Sequence, residues 1–248
     1  EPSTHILDRF ILSRLQSVTS VIAQHMQQYK LYLVVPELLR FIDDLTNIYI
    51  RLNRARFWAE GMDSDKQAAY QTLFTVVHTF SICMAPFAPF LSEHVYQSLK
   101  PFAAANDAPL SVHLCDYPQA NDNLIHPDLE QGVALLEEIL VLGRQQRNEL
   151  KIKTKIPLKQ LTVIHKEAAL LDEIRQLESI IKKELNIKHI EYSQDEQRYI
   201  RLYAKPNSPV LGKRLQKRFG AFKQRIEQLS GAEINQLEQD GQLQLDDE

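Results

Sequence analysis

Residues 37–58 read ELLRFIDDLTNIYIRLNRARFW. Leu38, Phe41 and Ile42, Leu45, Ile48 and Tyr49, Leu52 and Ala55 recur every three or four positions, the period of an α-helix with one buried stripe. Arg40, Asp44, Asn47, Arg51 and Arg54 keep the same spacing on the opposite face. Pro36 stands just before, where a missing amide hydrogen costs a helix nothing. The spacing predicts one helix over 37–58, long enough to suit a bundle. Its end gathers Arg51, Arg54, Arg56, Phe57 and Trp58 around Asn53. Such an end is either the solvated back of a bundle helix or a place that receives an anion.

The flanking segments repeat the helical pattern. Residues 3–30 carry an apolar stripe from Ile6 to Met26, with Ser3 or Thr4 able to cap it. Gly61 marks a left-handed stop, and Asp63 or Ser64 opens a third helix that is apolar nearly all round from Tyr70 to Met84. MAPFAPFLSEHVYQSL (84–99) places Pro86 and Pro89 at a kink before a fourth helix, expected to bury Phe90, Leu91, Val95, Tyr96 and Leu99. Residues 100–128 read as loop with a short extended piece at 111–117. A fifth helix over 129–149 sets Leu129, Val133, Leu136, Ile139, Leu140 and Leu142 inside, with Glu130, Glu137 and Glu138 outside.

Beyond it the charge changes. Arg144 to Lys159 holds six Lys or Arg and one acid, Glu149. Lys151, Lys153 and Lys155 alternate with Ile152, Thr154 and Ile156, which on an extended segment would put three ammonium groups on one face. The remainder alternates strands near 158–165, 187–192 and 199–204 with helices near 168–184, 209–229 and 232–239. Residues 201–225 hold eight basic residues and no acid. The expected division is therefore a helical bundle over 1–149, then a basic linker and small α+β domain over 150–248.

Composition narrows the function classes. The net charge of -3 excludes a general polycation, and 44% apolar residues support packed cores. Seven glycines and the scarcity of period-two stretches favour a mainly α fold. Two cysteines make no disulfide scaffold, and no apolar run reaches the length of a membrane span. The opening EPSTHILDRF lacks an initiator Met and the pattern of a secretory leader, so a fragment of a larger cytoplasmic protein is expected.

No phosphate-binding glycine loop or zinc pattern occurs. Ser92, Glu93 and His94 are adjacent on a helix and cannot face one another. His113 and Cys115 have no second pair to complete a metal site. No catalytic residue and no metal site are expected. What remains is arginine and aromatic side chains at one helix end plus two basic tracts. Cations hold phosphates and exposed aromatics stack on unpaired bases, so RNA binding is one reading. A helical protein-interaction or purely structural domain fits the same residues.

The same stretches carry a family resemblance. FIDDLTNIYIRLNRARFW, MAPFAPFLSEHVYQSL, SVHL and DYP, in that order, resemble the anticodon-binding region of the class I aminoacyl-tRNA synthetases. The wording is nearest the isoleucyl branch, while the valyl and leucyl branches share the helical domain. LKIKTKIPLKQLTVI, NIKHIEY, YAKPNSPVLGKR and GAEINQLEQDG resemble the isoleucyl C-terminal region, so the likeness spans essentially the whole chain. It implies an anticodon-binding helical bundle followed by a small α+β domain. It further implies the tRNA anticodon-arm binding part of an isoleucine–tRNA ligase, cytoplasmic and monomeric, whose partners are tRNA(Ile) and the catalytic domain of the same polypeptide. The full enzyme would attach isoleucine to tRNA(Ile) using ATP with magnesium. The HIGH-type and KMSKS-type signatures do not occur in this stretch, nor does an editing domain, so the chain itself is expected to be non-catalytic and to hold no cofactor. Carried over as RNA-facing are Asn47, Arg51, Arg54, Arg56, Phe57 and Trp58, with Lys151, Lys153 and Lys155. Trp58 reads first as a core residue and second as an RNA contact. The 158–248 segment is either a packing module or a second guide for RNA through Lys213, Arg214, Lys217 and Arg218.

Overall fold

A computed structural model describes residues 4–103, 109–195 and 203–241, the side chains of 214, 215, 217, 235, 238 and 239 excepted. Helix α1 (Ile6–Gln27) starts at His5, whose imidazole accepts from the Leu7 amide. The cap therefore lies beyond Thr4, and Ser3 falls outside the described residues. Leu7, Phe10, Ile11, Leu15, Val18 and Ile22 form the buried stripe of α1, as the spacing required.

The expected rod over 37–58 is built in pieces. Helix α2 (Leu31–Asp43) begins earlier, with Pro36 inside it. Pro36 is thus the sixth residue of the helix rather than its forerunner, and its missing amide costs the bond to the Tyr32 carbonyl, contrary to the expectation from the sequence. The chain then widens into a π-helical segment, Asp44–Ile50, continues through Arg51 and Leu52, and breaks at Asn53 before the single turn α3 (Arg54–Phe57). Leu38, Phe41, Leu45, Ile48 and Tyr49 are buried as expected, whereas Ala55 is exposed. Asp44, expected on the polar face, accepts from Arg14 of α1 at 2.9 Å.

After Gly61, at φ +75°, Asp63 caps α4 (Ser64–Met84) by accepting from the Lys66 amide. Phe80 of α4 packs on Phe41 with ring centres 4.7 Å apart. Helix α5 (Pro89–Leu99) has proline in its first turn. Phe90 and Leu91 are exposed rather than buried, because only Ser92 and Tyr96 face the interior fully. Residues 111–117 are not extended: Val112–Leu114 is a 3-10 turn held by Glu93, which accepts from Ser111 Oγ and the Val112 amide.

Helix α6 (Pro127–Glu149) buries Leu129, Val133, Leu136 and Leu140. Leu142 lies off that stripe and is exposed. Glu130 turns inward, where it accepts from Ser13, from Ser17 at 2.8 Å and from Arg14 at 3.2 Å.

Strands β1 (Leu158–Ile164) and β2 (Ile187–Ser193) pair with each other. The Leu158 amide donates to Asn186 and the His165 amide to Ser193, an unchanged offset that makes the pair parallel. The connection is two helices, α7 (Ala168–Gln176) and α8 (Glu178–Leu185), broken at Leu177 where one helix was expected.

The chain forms two compact units, residues 1–161 with 169–190, and residues 162–168 with 191–248. In the second, α9 (Ser208–Leu215) and α10 (Phe219–Glu227) replace the single helix expected over 209–229, since Gln216 takes φ +43°. Helix α11 (Gly231–Asp240) starts in a capping box between Ser230 and Glu233. Those bonds, with Arg225, pull the Glu233 carboxyl down to about 2. Most of the expected strand over 199–204 lies outside the described residues, and Tyr203 and Ala204 are not in a strand. No described helix is long and apolar enough to cross a membrane.

Candidate nucleic-acid interface

The break at Asn53 divides the arginine-aromatic cluster into an inner and an outer set. Arg56 turns inward. Its guanidinium donates to both oxygens of Asp8, at 2.9 and 3.0 Å, and to both oxygens of Asp65, at 2.7 and 2.8 Å. Asp8 is fully buried and also accepts from the Tyr49 hydroxyl at 2.9 Å. Burial opposes the charge on Arg56, but bonds and attraction from Asp8 and Asp65 outweigh it and raise its pKa above the ordinary arginine value. Bonds from Arg56 hold the Asp65 carboxyl low, and burial with the nearby Asp8 charge pushes the Tyr49 phenol up.

Phe57 is buried edge-on between Tyr49 and Tyr70, at 5.9 and 5.4 Å. Arg56 and Phe57 were expected to face RNA. The structure corrects both: one closes an internal ion network and the other is core.

Arg54 and Trp58 form the outer set. The Arg54 guanidinium lies 3.9 Å from the Trp58 ring centre, and Trp58 is 66% exposed. This places Trp58 at the surface, not in the core. Asn47 is exposed, its amide 3.4 Å from Asp43. Arg51 is exposed, donating to the Asn47 carbonyl at 2.7 Å and to Glu184 at 2.5 Å.

The second tract is a turn rather than the extended segment expected. Lys151 takes φ +56°, its amide donates to Asn148, the Ile152 amide to Arg147 and the Ile156 amide to Lys153. The turn folds around Arg147, which is 3% exposed. Arg147 donates to the carbonyls of Lys153 (3.2 Å), Ile156 (3.1 Å), Leu185 (2.5 Å) and Asn186 (3.2 Å). Asn186, itself left-handed at φ +51°, donates to Thr154 at 3.1 Å. Lys151, Lys153 and Lys155 are exposed, and none makes an ion pair among the described residues.

The end of α8 joins the two tracts. Glu184 accepts from Arg51 and, at 2.8 Å, from Arg144 of α6, while the next two carbonyls accept from Arg147. A cation there also satisfies the open carbonyls of a helix C-terminus. Gly143 permits the approach: a Cβ on it would stand 2.5 Å from Leu185 Cδ1. Arg144, Arg147 and Glu184 were not singled out in the sequence. The available signal was the ladder Leu136, Leu140, Gly143, Arg147, which continues the buried stripe of α6 into the basic tract.

Elsewhere, Lys213 and Arg218 are exposed, and the side chains of Arg214 and Lys217 lie outside the described set. Ser92 is buried while His94 is exposed, so they form no nucleophile-base pair. Among the described residues no cluster of three His, Cys, Asp or Glu could hold a metal ion.

A family model described as the anticodon-binding domain of tRNA ligase matches residues 8–164. The isoleucine–tRNA ligase of Bdellovibrio bacteriovorus is 41% identical over 246 residues, covering 99% of this chain and 23% of that protein. The cytoplasmic isoleucine–tRNA ligase of Mus musculus is 39% identical, over 97% of this chain and 20% of its own length. The cytoplasmic isoleucine–tRNA ligase of Saccharomyces cerevisiae is 36% identical, over 98% and 23% respectively. The chain thus spans only 20–23% of the length of these relatives.

Proposed function

The chain belongs to the family of anticodon-binding domains of tRNA ligases, and from that premise we propose that it grips the anticodon arm of tRNA(Ile) as part of an isoleucine–tRNA ligase. The whole polypeptide, cytoplasmic and monomeric, attaches isoleucine to tRNA(Ile) with ATP and magnesium; this chain supplies RNA contacts, not the chemical step. What carries the reading is the agreement between relatives of one specificity over nearly the full chain and an outward-facing cationic and aromatic set. Asn47, Arg51, Arg54 and Trp58 meet the RNA at the helix end, and Lys151, Lys153 and Lys155 meet its phosphates at the turn. Arg56 and Phe57 support the helix end from inside. The bundle over 1–149 and the following basic and α+β part divide this work.

Replacing Arg51 and Arg54 together by Ala tests the reading. Affinity for tRNA(Ile) and its salt slope are expected to fall while far-ultraviolet circular dichroism stays unchanged. Unaltered binding by the folded double variant would contradict it. Comparing purified isoleucine, valine and leucine tRNAs tests the amino-acid identity, with tRNA(Ile) expected to bind tightest.

A further inference from the structure

Arg147 is the unusual group at the lysine turn. A buried guanidinium normally faces a carboxylate, because an uncancelled charge in the interior is expensive. Arg147 instead faces four carbonyls, two from the turn and two from the end of α8. Its Nε has no hydrogen-bond partner among the described residues. The nearby acids are engaged elsewhere: Glu184 with Arg51 and Arg144, and Glu149 with the amides of Gln145 and Gln146. Arg147 therefore spends its bonds on backbone of the turn and of the α8 end, and Lys151, Lys153 and Lys155 on that turn are exposed. The turn is also pinned, by Arg147 at two carbonyls and by Asn186 at a third. Lys151 holds a left-handed backbone that glycine would adopt at less cost.

We propose that Arg147 is a positioning residue that holds Lys151, Lys153 and Lys155 as a preassembled receptor for an RNA phosphate backbone. It acts through them, by ordering the backbone of the turn. The proposal rests on the RNA-binding reading above. Long side chains on an ordered turn lose less freedom on binding than the same chains on a loose loop. The gain is in affinity rather than base choice, since phosphate contacts position but do not specify.

The test is a cycle on the intact chain, with fluorescently labelled tRNA(Ile) as probe and anisotropy as readout. Arg147→Lys keeps the charge, but a single ammonium cannot span four carbonyls on two segments. Affinity is expected to fall about tenfold in this variant, yet by less than about twofold when Lys151, Lys153 and Lys155 are already Ala. Asn186→Gly removes only the tie to Thr154 and suits the left-handed backbone; it is expected to weaken binding about threefold and likewise only with the lysines present. Arg147→Lys should also lose hydrogen-exchange protection at the Ile152 and Ile156 amides. Equal losses with and without the lysines, or no loss in either variant while the wild type binds, would overturn the proposal. A wild-type chain that binds no tRNA at low salt overturns the RNA reading itself, an outcome distinct from the other two.

Discussion

Arg56 and Arg147 are both drawn inward, and the regions around them differ in what they meet. At the helix end, Arg56 meets two carboxylates, and the pairing with buried Asp8 cancels its charge inside the bundle. At the lysine turn, Arg147 meets four backbone carbonyls and no carboxylate among the described residues. The first arrangement ties the helix end to the bundle, with Arg54 and Trp58 exposed beside it. The second pins the turn that carries three exposed lysines. Two basic stretches that look alike in sequence thus divide into charge paired within the fold and exposed charge, the part proposed to meet RNA.

The sharpest way to break this contrast is stability. Arg56→Met leaves Asp8 charged and buried, so unfolding in urea should show a loss of about 3–5 kcal/mol. Arg147→Met leaves backbone carbonyls without its bonds but no buried unpaired charge, and the same measurement should show only about 1–3 kcal/mol. A larger loss at Arg147 would reverse the contrast.

Trp58→Ala should barely alter stability, since an exposed pairing with Arg54 is worth about 0.5–1 kcal/mol. It should cost about 1–3 kcal/mol of RNA affinity if the ring stacks on a base. Titration with tRNA(Ile) separates the two effects.

Glu184→Gln sharpens the comparison from the other side. It releases Arg51 and Arg144 at the junction of the two tracts, so RNA should bind more tightly, with a salt slope steeper by about 1–2. Stability should change by no more than about 1 kcal/mol, as expected for partly exposed pairs. Weaker binding would mean that Glu184 aims Arg51 rather than competes for it.

The smallest effect concerns acid. Burial, with Arg56 nearby, lowers the pKa of His5, and burial lowers that of His78. The unfolded chain then binds more protons than the folded one as pH falls below the ordinary histidine value of 6.5. Stability from these residues is present above pH 6.5 and is lost as pH drops through their depressed folded values. His5→Gln should remove part of that dependence. The turn at 150–157 contains no histidine, so its exchange protection should show no such step.

Much of the bundle was legible because burial on a helix repeats every three or four residues. Leu38 to Tyr49 and Leu129 to Leu140 follow that rule. Periodicity did not reveal the π-helical segment or the break at Asn53, nor that Asp44 would turn to Arg14 of α1, a partner 30 residues away. Strict continuation of the stripe left Arg56 and Phe57 on the presumed outer end. Their inward turn is decided by Asp8, Asp65 and Tyr70, distant or separately folded in sequence. Alternation of Lys151, Lys153 and Lys155 suggested an extended face, but the carbonyl-binding fork of Arg147 curls the segment, and nothing local in LKIKTKIP announces it. The basic tract itself, and the outer positions of Arg51 and Arg54, were readable from residue type and spacing; the outer position of Trp58 was not, since residue type alone favoured the core.

The proposal that the exposed lysine turn meets RNA phosphates is tested most directly by the salt dependence of tRNA(Ile) binding in the wild type and in the Lys151→Ala, Lys153→Ala, Lys155→Ala variant. The slope of log affinity against log salt should become shallower by about 2–3, with circular dichroism unchanged. An unchanged slope in the folded variant would contradict the account.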